Sequence, residues 1–159
     1  KNTQLIIPHA GSCFFLGELF LDMEVDEYDQ PQKNRCGNCT RCIQACPTKA
    51  LEAPFLLNSR RCLSYLTIEN RDAIPLLEGK KMGNKIYGCD ECQKACPWNK
   101  FATPCQAPDL QPTELFMQME KDWHTLTEEQ YRTLFKGSAV KRAKYAGLMR
   151  NIHQVESNE

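Results

Sequence analysis

Cysteine residues carry most of the chemistry that this 159-residue sequence can perform. Eight of its ten cysteines lie in or between two runs that each end in Cys-Pro. The first run, at 36–47, has the spacing C-x2-C-x2-C-x3-C-P. In bacterial ferredoxins three thiolates of such a run bind one [4Fe–4S] cluster and the fourth reaches another. The second run, at 89–97, has the spacing C-x2-C-x3-C-P and is one ligand short.

Cys62 lies between the two runs and can supply the missing thiolate. The last cysteine of each run then crosses to the other set of four. The first cysteine set is Cys36, Cys39, Cys42 and Cys96, and the second cysteine set is Cys46, Cys62, Cys89 and Cys92. Zinc is the alternative, because C-x2-C pairs also build zinc ribbons, but paired Cys-Pro runs match zinc spacing poorly. We therefore predict two [4Fe–4S] clusters.

The distribution of charge supports this prediction. The whole chain has 20 basic and 20 acidic side chains, yet residues 36–106 contain ten basic and six acidic ones, a net charge of +4. Eight thiolates around two oxidised clusters carry a formal charge of about −4. Of the two remaining cysteines, Cys13 is predicted to be buried in a strand and Cys105 to be a free thiol.

The elements that must position the cysteines follow from apolar patterns and capping residues. Residues 4–23 contain two apolar runs separated by turn residues, which predicts two strands. Residues 59–69 predict a helix that starts at Asn58 or Ser59, with Leu63 and Leu66 facing inward. We predict an α+β fold with three parts: a β segment at 1–30, a bacterial two-[4Fe–4S] ferredoxin-like domain at 31–106, and a basic helical tail at 107–159.

The tail is predicted to be helical from its capping residues. Thr113 is expected to start a helix that runs to Glu120, and Thr127-Glu128-Glu129-Gln130 is a capping box with Leu126 and Tyr131 as its hydrophobic staple. Gly137 is expected to end the second helix. Six basic and no acidic residues lie in 132–150, and Lys141, Arg142 and Lys144 are expected to share one sector of a helix.

Several motifs resemble epoxyqueuosine reductase. They are Lys1-Asn2-Thr3, the stretch 11–18, the first cysteine run ending in Pro47-Thr48-Lys49-Ala50, the stretches 61–69 and 87–99, Gly137 to Arg142, and Gly147-Leu148-Met149-Arg150-Asn151. The stretch around Cys62 is the most specific, because a generic ferredoxin has no reason to carry it. Members of this family reduce epoxyqueuosine to queuosine at the wobble base of certain tRNAs with cobalamin and two [4Fe–4S] clusters. The resemblance implies the two cysteine sets above, and electron transfer through them to cobalamin.

The resemblance also implies roles for residues outside the cysteine sets. Four polar residues are expected to contact cobalamin, namely Lys1, Ser12, Ser64 and Asp90. Lys141, Arg142 and Lys144 are expected to contact the phosphates of a tRNA anticodon stem-loop. The alternatives are a surface hydroxyl for Ser64, a turn cap for Asp90, and a solvated basic face for the tail.

Family members are longer at the N-terminus, where most of the cobalamin domain and the acidic proton donor lie. The chain is therefore expected to be the C-terminal part, with 1–30 as the edge of the cobalamin domain, no catalytic residue of its own and no turnover alone. No apolar run approaches a membrane span and no signal peptide is visible, so we expect a cytoplasmic monomer supplied by an external electron donor.

Two other functions fit the cysteine pattern. One is a ferredoxin-type electron-transfer subunit of another oxidoreductase, which would bind a redox partner without contacting a corrinoid. The other is a corrinoid enzyme of the reductive dehalogenase type, which also combines cobalamin with two [4Fe–4S] clusters. The stretch Ser64 to Glu69 and the basic tail fit the tRNA enzyme better.

Overall fold

The computed structural model describes residues 1–113, 116–117 and 123–158. The cysteine-rich segment consists of short elements joined by loops. In chain order they are α1 (Arg41–Ala45), an antiparallel hairpin of β1 (Leu51–Ala53) and β2 (Leu56–Leu57), a 3-10 helix (Ser59–Arg61), α2 (Leu63–Ile68), α3 (Leu76–Gly79), α4 (Glu91–Lys94) and a 3-10 helix (Pro97–Phe101). These elements make the fold α+β, with a small two-stranded sheet, as predicted.

The tail contains the longest described helix. After 3-10 turns at Pro108–Leu110 and Trp123–Thr125 come α5 (Glu128–Leu134), a 3-10 helix (Ala139–Ala143) and α6 (Lys144–Glu156). Within the ranges that the structure describes, no helix is long and apolar enough to cross a membrane.

Two buried apolar clusters hold these elements together. The tail core packs α5 against α6 and consists of Leu126, Tyr131, Leu134, Phe135, Leu148 and Ile152. The central core consists of Leu63, Leu66, Ile74 and Met82, with Cys89 and Val155 packed against it. Because Val155 belongs to α6 and Cys89 to the second cysteine set, the central core joins the tail to the cysteine-rich segment.

Several predictions from local sequence are confirmed. Thr127 and Gln130 form the reciprocal capping box at the start of α5, and its staple residues, Leu126 and Tyr131, are both buried in the tail core. Gly137 follows α5 with φ +76°, a backbone conformation that favours glycine. Of the helix predicted over 113–120, residues 114–115 and 118–120 lie outside the described residues; Thr113 Oγ1 accepts a hydrogen bond from the Phe116 amide.

The prediction of two strands in residues 4–23 is wrong. Over 1–30 the structure shows an isolated bridge between Ile7 and Gly11 and a hydrogen bond from the Phe55 amide to the Lys1 carbonyl, but no strand. A strand requires the backbone of a neighbouring strand, and no described residue pairs with the apolar run after Cys13. Phe15 and Phe20 are therefore exposed, and Cys13 is exposed rather than buried.

The structure corrects two helix predictions as well. The predicted helix over 59–69 is divided at Cys62, whose extended backbone (φ −74°, ψ 120°) separates the 3-10 helix from α2. Neither Asn58 nor Ser59 caps α2, since Cys62 occupies its N-cap position. In the tail, the 3-10 helix contains Lys141 and Arg142, while Lys144 begins α6 with φ +64°, so these three residues do not share one helical sector.

Candidate iron–sulfur centre

The second cysteine set surrounds one small cavity. All four of its cysteines line a space of about 130 Å³, although they come from separate positions between Cys46 and Cys92. Cys46 ends α1, Cys62 precedes α2, Cys89 follows Gly88, and Cys92 lies in α4. A [4Fe–4S] cluster requires four thiolates, and the second set brings four cysteines to one cavity, so the number and chemistry of the donors fit the cluster.

Two thiols of the second set have raised pKa values. The pKa of Cys92 is raised to about 11, mainly by burial and also by the neighbouring thiols Cys89, Cys62 and Cys46, although a hydrogen bond from the Asn2 side chain lowers it. Burial also raises the pKa of Cys89. Iron must displace these protons, because the thiolate is the ligand.

Hydrogen bonds to Cys46 outweigh the effect of burial on its pKa. Burial raises its pKa, but the backbone amides of Leu51, Ala50 and Thr48 and the Thr48 hydroxyl lower it below its ordinary value. The Ala50 amide donates to Cys46 Sγ at 3.2 Å, and Thr48 Oγ1 lies 3.7 Å from the same sulfur. This turn into β1 therefore stabilises Cys46 as a thiolate.

The first cysteine set combines a local loop with a packed helix pair. The Cys39 amide donates to the Cys36 carbonyl at 3.0 Å, and Gly37 between them has φ +47°. Cys42 is buried in α1, which packs against α4, and Cys96 follows α4. This packing brings the two runs together, and Cys46 of the first run lines one cavity with Cys89 and Cys92 of the second.

The prolines after both runs fix the backbone of the preceding cysteine. Cys46 has ψ 114° and Cys96 has ψ 122°, both extended, as a residue before proline prefers. The helix α1 ends directly before Cys46, and α4 ends at Lys94, two residues before Cys96.

The residues predicted to contact cobalamin are only partly brought together. Ser12 and Asp90 line the same open cavity of about 880 Å³, and Ser64 lines the 130 Å³ cavity of the second set together with Asp90. Lys1 lies elsewhere, with its Nζ donating to the Gly37 carbonyl at 2.7 Å. Asp90 is the N-cap of α4 but makes no side-chain capping bond, contrary to the alternative of a turn cap.

The lining of the larger cavity is partly apolar and partly basic. Its wall combines apolar Phe14 and Phe15 with basic Arg41, Lys94 and Lys100. Ser12 is held there by Asn99, whose Oδ1 accepts hydrogen bonds from the Ser12 amide at 2.6 Å and hydroxyl at 3.2 Å. The wall of this cavity therefore combines apolar and basic side chains next to Ser12 and Asp90.

Several residues at the site were not singled out from the sequence. Buried Asn2 donates from Nδ2 to the Cys92 carbonyl at 3.1 Å, and Thr48 contacts Cys46. Thr67 and Asn151 are fully buried behind the second set. Asn2 and Asn151 do lie within motifs that resemble the family, and that was the only signal the sequence offered for them.

The basic tail residues are partly engaged with the protein. The Arg142 guanidinium donates to both carboxylate oxygens of Glu69 at 2.9 and 3.0 Å. This hydrogen bond holds the pKa of Glu69 below its ordinary value. Lys141 and Lys144 are exposed.

Comparisons with known proteins identify the relatives of this chain. Residues 35–99, which contain all eight cysteines of the two sets, match the family model of a 4Fe-4S double cluster binding domain. An epoxyqueuosine reductase from Cyclobacterium marinum is 44% identical over 159 residues, which are 99% of this chain and 50% of the relative. The chain is homologous to epoxyqueuosine reductases.

Solved epoxyqueuosine reductase structures share the fold. The one from Streptococcus thermophilus is 34% identical with a TM-score of 0.68, covering 86% of this chain and 35% of that chain. Another, solved with an epoxyqueuosine-modified tRNA-Tyr stem loop, is 30% identical with a TM-score of 0.67, covering 83% and 35%. The resemblance and the two-cluster domain are thus confirmed.

The chain spans about half the length of the curated relatives it matches. Those relatives are oxidoreductases by name. The assignment of individual cysteines to clusters stays a prediction, as do the cobalamin and tRNA contacts.

Proposed function

We propose that this chain is the iron–sulfur part of an epoxyqueuosine reductase, which reduces epoxyqueuosine to queuosine in tRNA. The observation that carries the proposal is the gathering of the second cysteine set around one cavity, within a chain homologous to these reductases. When bound, the two clusters supply one-electron transfer and cobalamin supplies the chemistry at the epoxide. The electrons come from an external donor to a cytoplasmic, monomeric enzyme.

In this proposal α4 separates the clusters from the corrinoid. Asp90 and Gln93 line both the 130 Å³ cavity and the 880 Å³ cavity, so the same short helix forms a wall of each. Cys96 of the first set lines the larger cavity directly. The chain thus orients both cysteine sets toward the surface on which Ser12 and Asp90 lie, while the proton donor and the remaining walls belong to other parts of the enzyme.

The first test is an analysis of the modified nucleosides in tRNA from cells that lack the full gene. We expect epoxyqueuosine to accumulate in their tRNA, and a plasmid with the full-length gene to restore queuosine. Cys62→Ala should fail to restore it, whereas Cys105→Ala should succeed, because Cys105 belongs to neither set. Unchanged queuosine in the deletion strain would reject the proposal. The 159-residue chain alone should give no turnover.

The proposed tRNA surface needs a separate test, because Arg142 also has an internal partner. In the full-length protein, Lys141→Glu and Lys144→Glu should weaken binding of a tRNA anticodon stem-loop and reduce its salt dependence. Lys136→Glu makes the same charge change outside the predicted contact. Glu69→Gln removes the partner of Arg142 without reversing a tail charge, so it separates loss of the ion pair from loss of RNA contact. Equal binding by all these variants would reject the surface.

A further inference from the structure

Two consecutive residues of α6 reach from the tail into the cysteine-rich segment. Asn151 is fully buried, and its Nδ2 donates to the Thr67 carbonyl at 2.8 Å and the Ile86 carbonyl at 2.9 Å. Its own Oδ1 accepts from the Arg150 guanidinium at 2.8 Å, which orients the amide nitrogen toward these carbonyls. Asn151 therefore ties the end of α2 to the segment that leads into Cys89.

Thr67 links the neighbours of two cysteines of the second set. It is fully buried, and its Oγ1 donates to the Leu63 carbonyl at 2.7 Å and accepts from the Gly88 amide at 2.9 Å. Leu63 directly follows Cys62, and Gly88 directly precedes Cys89. Gly88 has φ +74°, so the turn that directs Cys89 depends on a glycine fixed by this hydroxyl.

Arg150 contacts the same C-terminal end of α2. Its guanidinium donates to the carbonyls of Leu66 at 2.8 Å, Asn70 at 2.8 Å and Asp72 at 2.7 Å. These carbonyls lie in and after the last turn of α2, where a helix leaves carbonyl groups without partners in the helix itself. Arg150 thus fixes the position of α2, whose N-cap is Cys62.

We infer that Arg150 and Asn151 are positioning residues of the second cysteine set, acting on Cys62 and Cys89 through α2, Thr67 and Gly88. The inference rests on the cysteine sets of the proposed function. Residues that orient metal ligands commonly change metal affinity or activity 10–100-fold when they are replaced. Among the described residues, no side-chain hydrogen bond from α6 reaches the segments of the first set, so the effect is confined to one cluster.

The experiment uses the full-length protein, purified and loaded with clusters without oxygen. Thr67→Val keeps the shape of the side chain but removes the hydroxyl, whereas Thr67→Ser retains the hydroxyl. Asn151→Ala removes the amide, and Ile152→Ala is its matched control, because it empties a buried site of the tail core on the same helix. Iron release to a chelator and the reduction potentials of both clusters are measured, with Cys89→Ala giving the baseline of the first cluster.

We expect wild type to hold about eight irons. In Thr67→Val and Asn151→Ala, about half of the iron should leave about tenfold faster, with a shifted potential for the second cluster only. Thr67→Ser and Ile152→Ala should keep both potentials of wild type. Thr67→Val decides the test if Asn151→Ala does not fold.

Two failures can be told apart. A wild-type protein that never holds two clusters rejects the cysteine sets of the proposed function. The positioning role is rejected if wild type holds two clusters but Thr67→Val behaves like Thr67→Ser. It is also rejected if Thr67→Val accelerates the release of iron from both clusters equally.

Discussion

The two cysteine sets differ in how the chain builds them. Three members of the first set lie within seven residues, 36–42, in a loop and the short helix α1, and their neighbours Gly37, Asn38 and Thr40 are exposed. The second set takes its members from separate segments and lies against the central core. The first set is therefore mainly a product of local spacing, and the second a product of tertiary packing.

This difference predicts which set depends on distant residues. Cys89 packs against the central core, and Val155 of α6 packs on the same core. Disturbing α2, the central core or the tail should thus affect the second cluster while the loop of the first cluster retains its local hydrogen bonds.

The largest effect is expected from removal of a single ligand. Cys62→Ala in the full-length protein should reduce iron from about eight to about four per chain, because a cubane requires four thiolates. Cys39→Ala should also leave about four, but from the other cluster. Iron and sulfide analysis measures the loss, and EPR spectra of the two reduced variants should differ and add up to the wild-type spectrum.

Cys13→Ala is the matched control, because Cys13 is an exposed cysteine outside both sets. It should retain all the iron. The cysteine sets are wrong if Cys62→Ala also retains all the iron, or if the two variants give the same residual spectrum.

A core substitution should separate the sets by stability. Leu63 is 1% exposed in the central core and follows Cys62 directly. Leu63→Ala should lower the free energy of unfolding by about 2–5 kcal/mol and release the iron of the second cluster first. Leu148→Ala offers a matched comparison, since Leu148 is equally buried in the tail core.

Denaturant titration with iron release followed in parallel measures both quantities. We expect Leu63→Ala to separate the two iron-release phases more than Leu148→Ala does. Simultaneous loss of both clusters in Leu63→Ala would contradict the contrast, because it would show that the first set has no independent local stability.

The same contrast explains how much of the fold the sequence could predict. The capping box at Thr127, the staple, and the inward positions Leu63 and Leu66 involve residues close in the chain, so their patterns were sufficient. The two strands predicted in 4–23 would need neighbouring strands to pair with, and the sequence of this segment does not show whether such strands exist. The single basic helical sector failed because Ser138 caps a separate 3-10 helix, with its hydroxyl accepting from the Val140 amide, before α6 begins.

The candidate site divides in the same way. Spacing was enough to predict the second set, whose four cysteines line one cavity in the structure, while the assignment of all eight cysteines to clusters stays a prediction. The supporting residues could not be found from spacing. Asn151 meets Thr67 across 84 positions of sequence and Asn2 meets Cys92 across 90, and only the folded chain brings such distant amides to the ligands.

The smallest predicted effect concerns one hydroxyl beside the second cluster. Thr48 is 1% exposed, and its Oγ1 lies 3.7 Å from Cys46 Sγ, where it donates to a thiolate. Hydrogen bonds to cluster sulfurs favour the more negative, reduced cluster. Losing a bond of about 1 kcal/mol in Thr48→Val should lower the potential of the second cluster by roughly 40 mV, since 59 mV corresponds to a tenfold change for one electron.

An anaerobic redox titration of the full-length protein checks this value. Thr40→Val is the control, because Thr40 is an exposed threonine in the loop of the first set and makes no side-chain capping bond. It should leave both potentials unchanged. A rise in potential for Thr48→Val, or an equal shift of both clusters, would contradict the assignment of Cys46 to the second set, since the hydroxyl contacts no other cysteine sulfur among the hydrogen bonds of the described residues.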